Sequence, residues 1–172
     1  MRLTTMTDYA IRLLMYVGRQ PDRLCTISEI AHAYGMSEPH LMKITHRLAQ
    51  NGWIETVRGK NGGMRLAHAP EDISLGAVMR DTESDFTLVE CFVANNACPL
   101  SGHCRLTGII DGALQRFLQY VDSFTLADIL PETGQAPRTR SLNDMPSFHA
   151  GDVVRVVGNA EKYPDDLAPF HS

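Results

Sequence analysis

Three of the four cysteines of the chain lie close together, at Cys91, Cys98 and Cys104. The first residues show no signal-peptide pattern, so clustered thiols indicate metal or redox chemistry in a reducing cytoplasm rather than a disulfide framework. Zinc loops usually place two ligands about two to four residues apart, and both intervals here are longer. Widely spaced thiolates on an irregular loop are typical of an iron–sulfur cluster, which is larger than a single ion. The spacing therefore favours a cluster over zinc.

Three thiolates leave one coordination position of such a cluster open. Cys25 has the right side chain, but a lone cysteine in a separate segment is more often a small buried apolar residue. Cys104 directly precedes the strongest helical pattern of the chain, and the N–H groups of a helix N-terminus favour a thiolate and an anionic cluster beside it. The residues alone leave the fourth ligand unassigned.

The net charge of −4 is the sum of two different halves. Residues 1–70 hold nine Lys and Arg against five Asp and Glu, a net charge of +4, whereas residues 71–172 hold seven against fifteen, a net charge of −8. A basic half suits the phosphate backbone, so the average charge does not exclude a nucleic-acid partner. No apolar run approaches the ~18–20 residues of a membrane span.

The basic half has the pattern of a helix-turn-helix. Helices are predicted over Thr7–Gly18, over Glu29–Tyr34 and from Ser37 to about Asn51. Thr7, Ser28 and Ser37 are the expected N-caps, and Gly35 ends the second helix. The spacing of apolar residues directs one face of the third helix inward, namely Leu41, Ile44, Thr45 and Leu48.

A hairpin is predicted next, from strands Trp53–Val57 and Met64–Ala67 joined at Asn61-Gly62-Gly63, because asparagine and glycine accept positive φ. Three helices and a basic hairpin form a winged helix, which reads DNA with the start of its second motif helix and with its wing. The alternative is that the basic residues of this region only form a solvent-exposed surface and bind no DNA. The predicted DNA-contacting residues are Ser37, Glu38, Pro39, His40, Lys43, Arg47, Arg58, Lys60, Asn61, Gly62, Gly63 and Arg65.

The acidic half contains one long amphipathic helix, whose apolar stripe predicts a two-fold dimer, with an ordinary core helix as the alternative. That stripe is Leu106, Ile109, Ile110, Ala113, Leu114, Phe117, Leu118 and Val121. Short helices are predicted over Ser74–Arg80 and Thr125–Leu130. The fold class is thus mainly α with a small β-hairpin. The predicted domains are a winged helix at 1–80, a cysteine loop at 81–105, the dimerisation helix with a short closing helix at 106–130, and a flexible tail at 131–172. Val153–Val157, a strand-like stretch within that tail, stays unassigned.

Several separated motifs resemble the family of iron–sulfur winged-helix repressors, over about residues 1–130. They are the opening Met1–Thr4 with Thr7–Ala10, the wing Val57–Leu66, the loop Cys98-Pro99-Leu100 to Cys104-Arg105-Leu106, and the closing Phe124–Leu130. Within the family the chain is most similar to the nitric-oxide-sensing group.

The resemblance implies a homodimeric transcriptional repressor with one 4Fe–4S cluster per subunit. Cys91, Cys98 and Cys104 would be ligands, and the fourth would be the partner subunit's Asp8. Such a repressor binds operator DNA while the cluster is intact and releases it when nitric oxide reacts with the cluster. From the residues alone, Asp8 is simply an acidic residue favoured at a helix start.

Three alternatives remain open. The IscR-type sibling group holds a 2Fe–2S cluster with a histidine three residues after the third cysteine, a position that Thr107 occupies here. An iron–sulfur electron-transfer protein would use the same thiols, but the sequence has no nucleotide-binding glycine motif and no paired acid and base, so an enzyme is not expected. A third alternative is a DNA-binding module without a cluster.

Overall fold

The computed structural model describes residues 3–93, 96–100 and 104–130, so the predicted tail and its Val153–Val157 stretch lie outside the described residues. The helices are α1 (Thr5–Gly18), α2 (Ile27–Tyr34), α3 (Glu38–Gln50), α4 (Leu75–Thr82), α5 (Arg105–Asp122) and α6 (Leu126–Ile129). Two strands, β1 (Ile54–Val57) and β2 (Gly63–Leu66), follow α3, and short 3-10 turns occur at Pro70–Asp72 and Glu90–Phe92. The predicted fold class, mainly α with one small hairpin, is confirmed.

The first three helices enclose a common apolar core. Ala10, Leu13 and Leu14 of α1 are fully buried, as are Ile30 of α2 and Leu41 of α3. The inward face predicted for α3 is confirmed, because its buried residues are Leu41, Ile44, Thr45 and Leu48. None of the helices in the described part of the chain has the length and apolar character needed to cross a bilayer.

Two predicted helix starts were wrong by half a turn or more. Thr4 caps α1 by accepting a hydrogen bond from the backbone N–H of Thr7, and Thr26 caps α2 by accepting one from Glu29. The prediction took the polar residue next to the apolar run, whereas the N-cap bonds to the residue three positions later. The N-cap position of Ser37 is confirmed, and Gly35 ends α2 in the left-handed region.

The wing is an antiparallel pair in which Ile54 lies opposite Leu66 and Val57 opposite Gly63. The residues with positive φ at its tip are Gly59 and Asn61. The prediction that Gly62 and Gly63 are needed for positive φ was therefore wrong. Gly62 and Gly63 instead lie so close to other backbone atoms that a side chain would not fit. A Cβ on Gly62 would lie 2.3 Å from the carbonyl oxygen of Val57, which leaves no space for a side chain.

The described residues form two compact units. One comprises 3–84 with 117–130 and contains the winged helix, α4, α6 and the end of α5. The other lies within 85–116 and contains the three cysteines of the loop and the start of α5. The domain boundaries predicted from the sequence stay predictions.

Gly76 of α4 allows the last turn of α5 to approach closely. A Cβ at this position would lie 2.0 Å from Oδ1 of Asp122 and 3.0 Å from its backbone nitrogen. We expect Gly76→Ala to lower the free energy of unfolding by about 1–3 kcal/mol, as overpacking does, measured by urea denaturation.

Gly108→Ala on α5 is the matched control, because a Cβ there would meet nothing within 4 Å. Alanine is the better helix former, so this variant should be unchanged or more stable by up to about 1 kcal/mol. Equal stability of the two variants would show that the close approach at Gly76 is unimportant.

A candidate DNA-reading face and a candidate cluster-binding loop

The exposed side of α3 carries the residues predicted to read DNA. All six predicted positions in this segment are exposed to solvent, namely Ser37, Glu38, Pro39, His40, Lys43 and Arg47. Met42 is also 58% exposed, an apolar residue that the sequence analysis did not assign to this face. Apolar side chains can contact thymine methyl groups in the major groove. The signal that could have found Met42 is its position between His40 and Lys43.

The wing presents fewer free cations than its sequence suggests. Arg58, Lys60 and Asn61 are exposed at the tip. Arg65 instead lies 2.7 Å from a carboxylate oxygen of Glu55 on the neighbouring strand, so part of its charge is neutralised locally. Arg58 and Lys60 are therefore the wing cations best placed to contact phosphate.

Four consecutive residues at the end of α4, Arg80–Glu83, bind other elements of the winged-helix unit, and we call them the α4 junction. Arg80 makes a two-pronged ion pair with Asp122 at 2.5 and 2.6 Å. A carboxylate oxygen of Asp81 accepts a 2.8 Å hydrogen bond from Nε1 of Trp53, and its backbone carbonyl accepts one from Nε of Arg47. The junction thus contacts α3, which is the predicted recognition helix, and the base of the wing.

The same junction also holds the start of α1. The hydroxyls of Thr7 and Thr82 lie 2.9 Å apart and both residues are buried. The carboxylate of Glu83 accepts hydrogen bonds from the backbone N–H of Thr4, at 2.8 Å, and from its hydroxyl. The residue that caps α1 is therefore bound to the end of α4.

Asp8 lies on the first turn of α1 and is partly exposed to solvent. Its side chain is about half exposed and pairs with Nε of Arg12 at 3.0 Å, one turn later on the same helix. The adjacent Tyr9 packs edge-on against the ring of His40, with ring centroids 5.7 Å apart. The start of α1 thus contacts the start of α3 directly.

Hydrogen bonds shape the cysteine loop. Cys91 lies in the 3-10 turn Glu90–Phe92, where Phe92 is buried. The backbone N–H of Ala97 donates to the carboxylate of Glu90, and that of Cys98 donates to the side-chain oxygen of Asn96 at 3.0 Å. Cys91, Cys98 and Cys104 are all free thiols and half-buried.

The environment of Cys104 favours its ionised form. Backbone N–H groups of Leu106 and Thr107, in the first turn of α5, lower the pKa of the Cys104 thiol. The expectation of a thiolate at this helix start is therefore supported by the local geometry. Cys91 is tied to the same turn, because its sulfur lies 3.3 Å from the hydroxyl oxygen of Thr107.

Cys25 has the opposite character. It is fully buried, and its backbone exchanges two hydrogen bonds with Met64 of the wing, at 2.8 and 2.9 Å. Burial raises the pKa of the Cys25 thiol to about 11, so this thiol stays protonated at neutral pH. The expectation of a small buried apolar residue is confirmed.

The side chains of the loop have the chemistry of iron–sulfur cluster ligands. Among the described residues, no group of three His, Cys, Asp or Glu is arranged to hold one metal ion. The three loop thiols are unpaired, partly accessible and, at Cys104, biased toward the thiolate. Such widely spaced soft ligands suit a larger cluster.

The apolar stripe of α5 is divided in its exposure. Leu114 and Leu118 are already buried in the single chain, whereas Leu106 and Ile109 are 57% and 67% exposed. Ala113 is also exposed, and the half-buried members are Ile110, Phe117 and Val121. The first turns of α5 therefore carry the most exposed part of this stripe.

A winged helix with a recognition helix and a basic wing defines a class of transcriptional regulators. The chain belongs to the Rrf2 family of iron-dependent transcriptional regulators, whose model matches residues 3–132. It is 46% identical, over 132 residues, to the regulators named NsrR of Halalkalibacterium halodurans and Bacillus subtilis, covering 76% of this chain and 90% of each relative. The resemblance inferred from the motifs is thereby confirmed.

The solved structure of T. potens IscR has the same fold. It aligns with a TM-score of 0.60 and 24% identity, covering 75% of this chain and 85% of that one. The relatives are named as transcriptional regulators, in agreement with the expectation that the chain is not an enzyme.

Proposed function

We propose that this regulator is a cytoplasmic, nitric-oxide-responsive repressor that binds operator DNA as a homodimer through α3 and the wing. It holds DNA while an iron–sulfur cluster is intact and releases it when nitric oxide reacts with that cluster. The observation that carries the proposal is the loop of three free thiols, with Cys104 biased toward the thiolate, joined to a winged helix. The relatives named NsrR support the same role.

Four residues would hold the cluster. Cys91, Cys98 and Cys104 supply sulfur ligands from one subunit, and the partner subunit's Asp8 supplies a carboxylate, with a 4Fe–4S cluster as the proposed type. When bound, the cluster supplies iron that can react with nitric oxide. A carboxylate is a hard ligand on iron that is otherwise bound by sulfur, so this corner is the weakest of the four.

The winged-helix unit offers a route by which α1 can influence DNA reading. Asp8 lies on α1, whose capping residue Thr4 is bound to Glu83 of the α4 junction. The same junction binds Trp53 and Arg47 through Asp81. A change in the position of α1 would therefore shift the α4 junction, and through its bonds the junction would act on α3 and on the wing.

The decisive experiment is an operator gel shift with anaerobically purified protein. We expect brown protein that contains iron and sulfide, shifts the operator fragment and loses the shift on addition of nitric oxide. Colourless protein with stoichiometric zinc, or a shift insensitive to nitric oxide, would overturn the proposal. The alternative of an IscR-type 2Fe–2S cluster is distinguished by Mössbauer spectroscopy, and Thr107, which lacks a ligating nitrogen, favours the 4Fe–4S type.

Asp8→Ala tests the fourth ligand. We expect the cluster to lose iron to a chelator about 10- to 100-fold faster, because a ligand is lost while the three thiolates remain. The measurement is iron release in anaerobic protein, followed by absorbance.

Arg12→Ala is its matched control on the same helix face. It removes the ion pair with Asp8 and leaves the carboxylate in place. An exposed pair contributes at most about 1 kcal/mol, so this variant should fold and release iron at a rate near that of the wild type. If both variants behaved alike, Asp8 would be only part of a surface pair.

A further inference from the structure

Thr107 contacts the thiol of Cys91 and the backbone of Cys104, two of the three cysteines of the loop. Its hydroxyl oxygen lies 3.3 Å from the sulfur of Cys91. Its backbone N–H also donates a hydrogen bond to the carbonyl oxygen of Cys104, at 3.3 Å. Cys91 and Cys104 are 13 positions apart in the sequence, so one residue on the first turn of α5 contacts both sides of the loop.

The direction of the hydrogen bond follows from the chemistry of the ligand. A free thiol and a hydroxyl can each be the donor, but a cysteine that binds iron has lost its proton and can only accept. The hydroxyl of Thr107 must then donate to sulfur. A bond from a neutral donor to a charged acceptor is stronger than one between neutral groups.

We propose that Thr107 is a positioning residue for the cluster, whose hydroxyl donates a hydrogen bond to the thiolate of Cys91 and fixes the orientation of that ligand. This inference rests on the proposed cluster and goes beyond it, because it assigns a role to a side chain that does not bind iron. Hydrogen bonds to cluster sulfurs favour the more negatively charged reduced state. They also hold ligands in place, and loss of such outer partners typically lowers metal affinity about 10- to 100-fold.

The test compares hydroxyl-free and hydroxyl-bearing variants at this one position. Thr107→Val keeps the branched shape, Thr107→Ala is a second hydroxyl-free variant with better helix propensity, and Thr107→Ser keeps the hydroxyl. Thr87→Val is the control, because Thr87 is exposed in the same unit and its described hydrogen bond comes from its backbone N–H. Each anaerobically reconstituted protein is measured for its reduction potential and for the rate of iron release to a chelator.

We expect both hydroxyl-free variants to have a more negative reduction potential than the wild type and to release iron about 10-fold faster. Thr107→Ser and Thr87→Val should stay within about twofold of the wild type in the rate of release. The inference is overturned if the valine and alanine variants match the wild type, or if the serine variant behaves as they do, since shape rather than the hydroxyl would then matter. Wild-type protein that takes up no iron and sulfide would overturn the proposed function and this inference together.

Discussion

Replacing any one of Cys91, Cys98 and Cys104 with alanine will abolish cluster uptake and weaken operator binding at least about 100-fold, toward the non-specific level. The three thiols are only half-buried, so their replacement by alanine should change the free energy of unfolding by less than about 1 kcal/mol. Iron and sulfide analysis, operator titration and urea denaturation measure the three quantities. The expected pattern is a loss of binding without a loss of stability.

Cys25→Ala will give the opposite pattern. Its side chain is fully buried between the helices and the wing, so its truncation should cost about 1–2 kcal/mol of stability. Because burial holds the pKa of its thiol near 11, it is a poor iron ligand at neutral pH, and the variant should keep its cluster and its operator affinity. A Cys25 variant that lost the cluster, or a loop variant that kept stoichiometric iron and sulfide, would contradict the assignment.

Much of the fold was predictable because local patterns determine it. The four buried positions of α3 follow directly from helical periodicity, and Ser37, Pro39 and Gly35 mark helix ends by their backbone preferences. The helix starts at Thr4 and Thr26 were missed because more than one hydroxyl residue near each start could serve as the cap. Only the bonds to Thr7 and Glu29 decide between them.

The α4 junction could not be predicted from the sequence. Its contacts join residues that are far apart in the chain, 79 positions for Thr4 with Glu83, 75 for Thr7 with Thr82 and 28 for Trp53 with Asp81. No periodicity records such pairings, because they depend on how helices and strand pack. In the sequence, nothing distinguishes Arg80, Asp81 and Glu83 from ordinary charged surface residues. The contact of Thr107 with Cys91 was missed for the same reason.

The double variant Arg58→Ala/Lys60→Ala will weaken operator binding by about 100-fold at low salt and flatten its salt dependence. Both side chains are exposed at the tip of the wing, and in a homodimer the variant removes four cations. Each lost phosphate contact lowers the slope of log affinity against log salt by about 0.9, so the slope should fall by about 3 to 4. Titrations at several salt concentrations measure it, on operator and on unrelated DNA.

The comparison with Arg65 separates phosphate contact from bulk charge. Arg65→Ala removes a cation from the same wing, but Glu55 already neutralises part of its charge at 2.7 Å. Its slope should therefore change by less than that of Arg58→Ala or of Lys60→Ala, each made as a single variant. Because phosphate contacts carry no sequence information, the tip variants should weaken operator and unrelated DNA alike, whereas His40→Ala, at the start of α3, should weaken the operator selectively. If Arg65→Ala changed the slope as much as either single tip variant, only the net charge of the wing would matter.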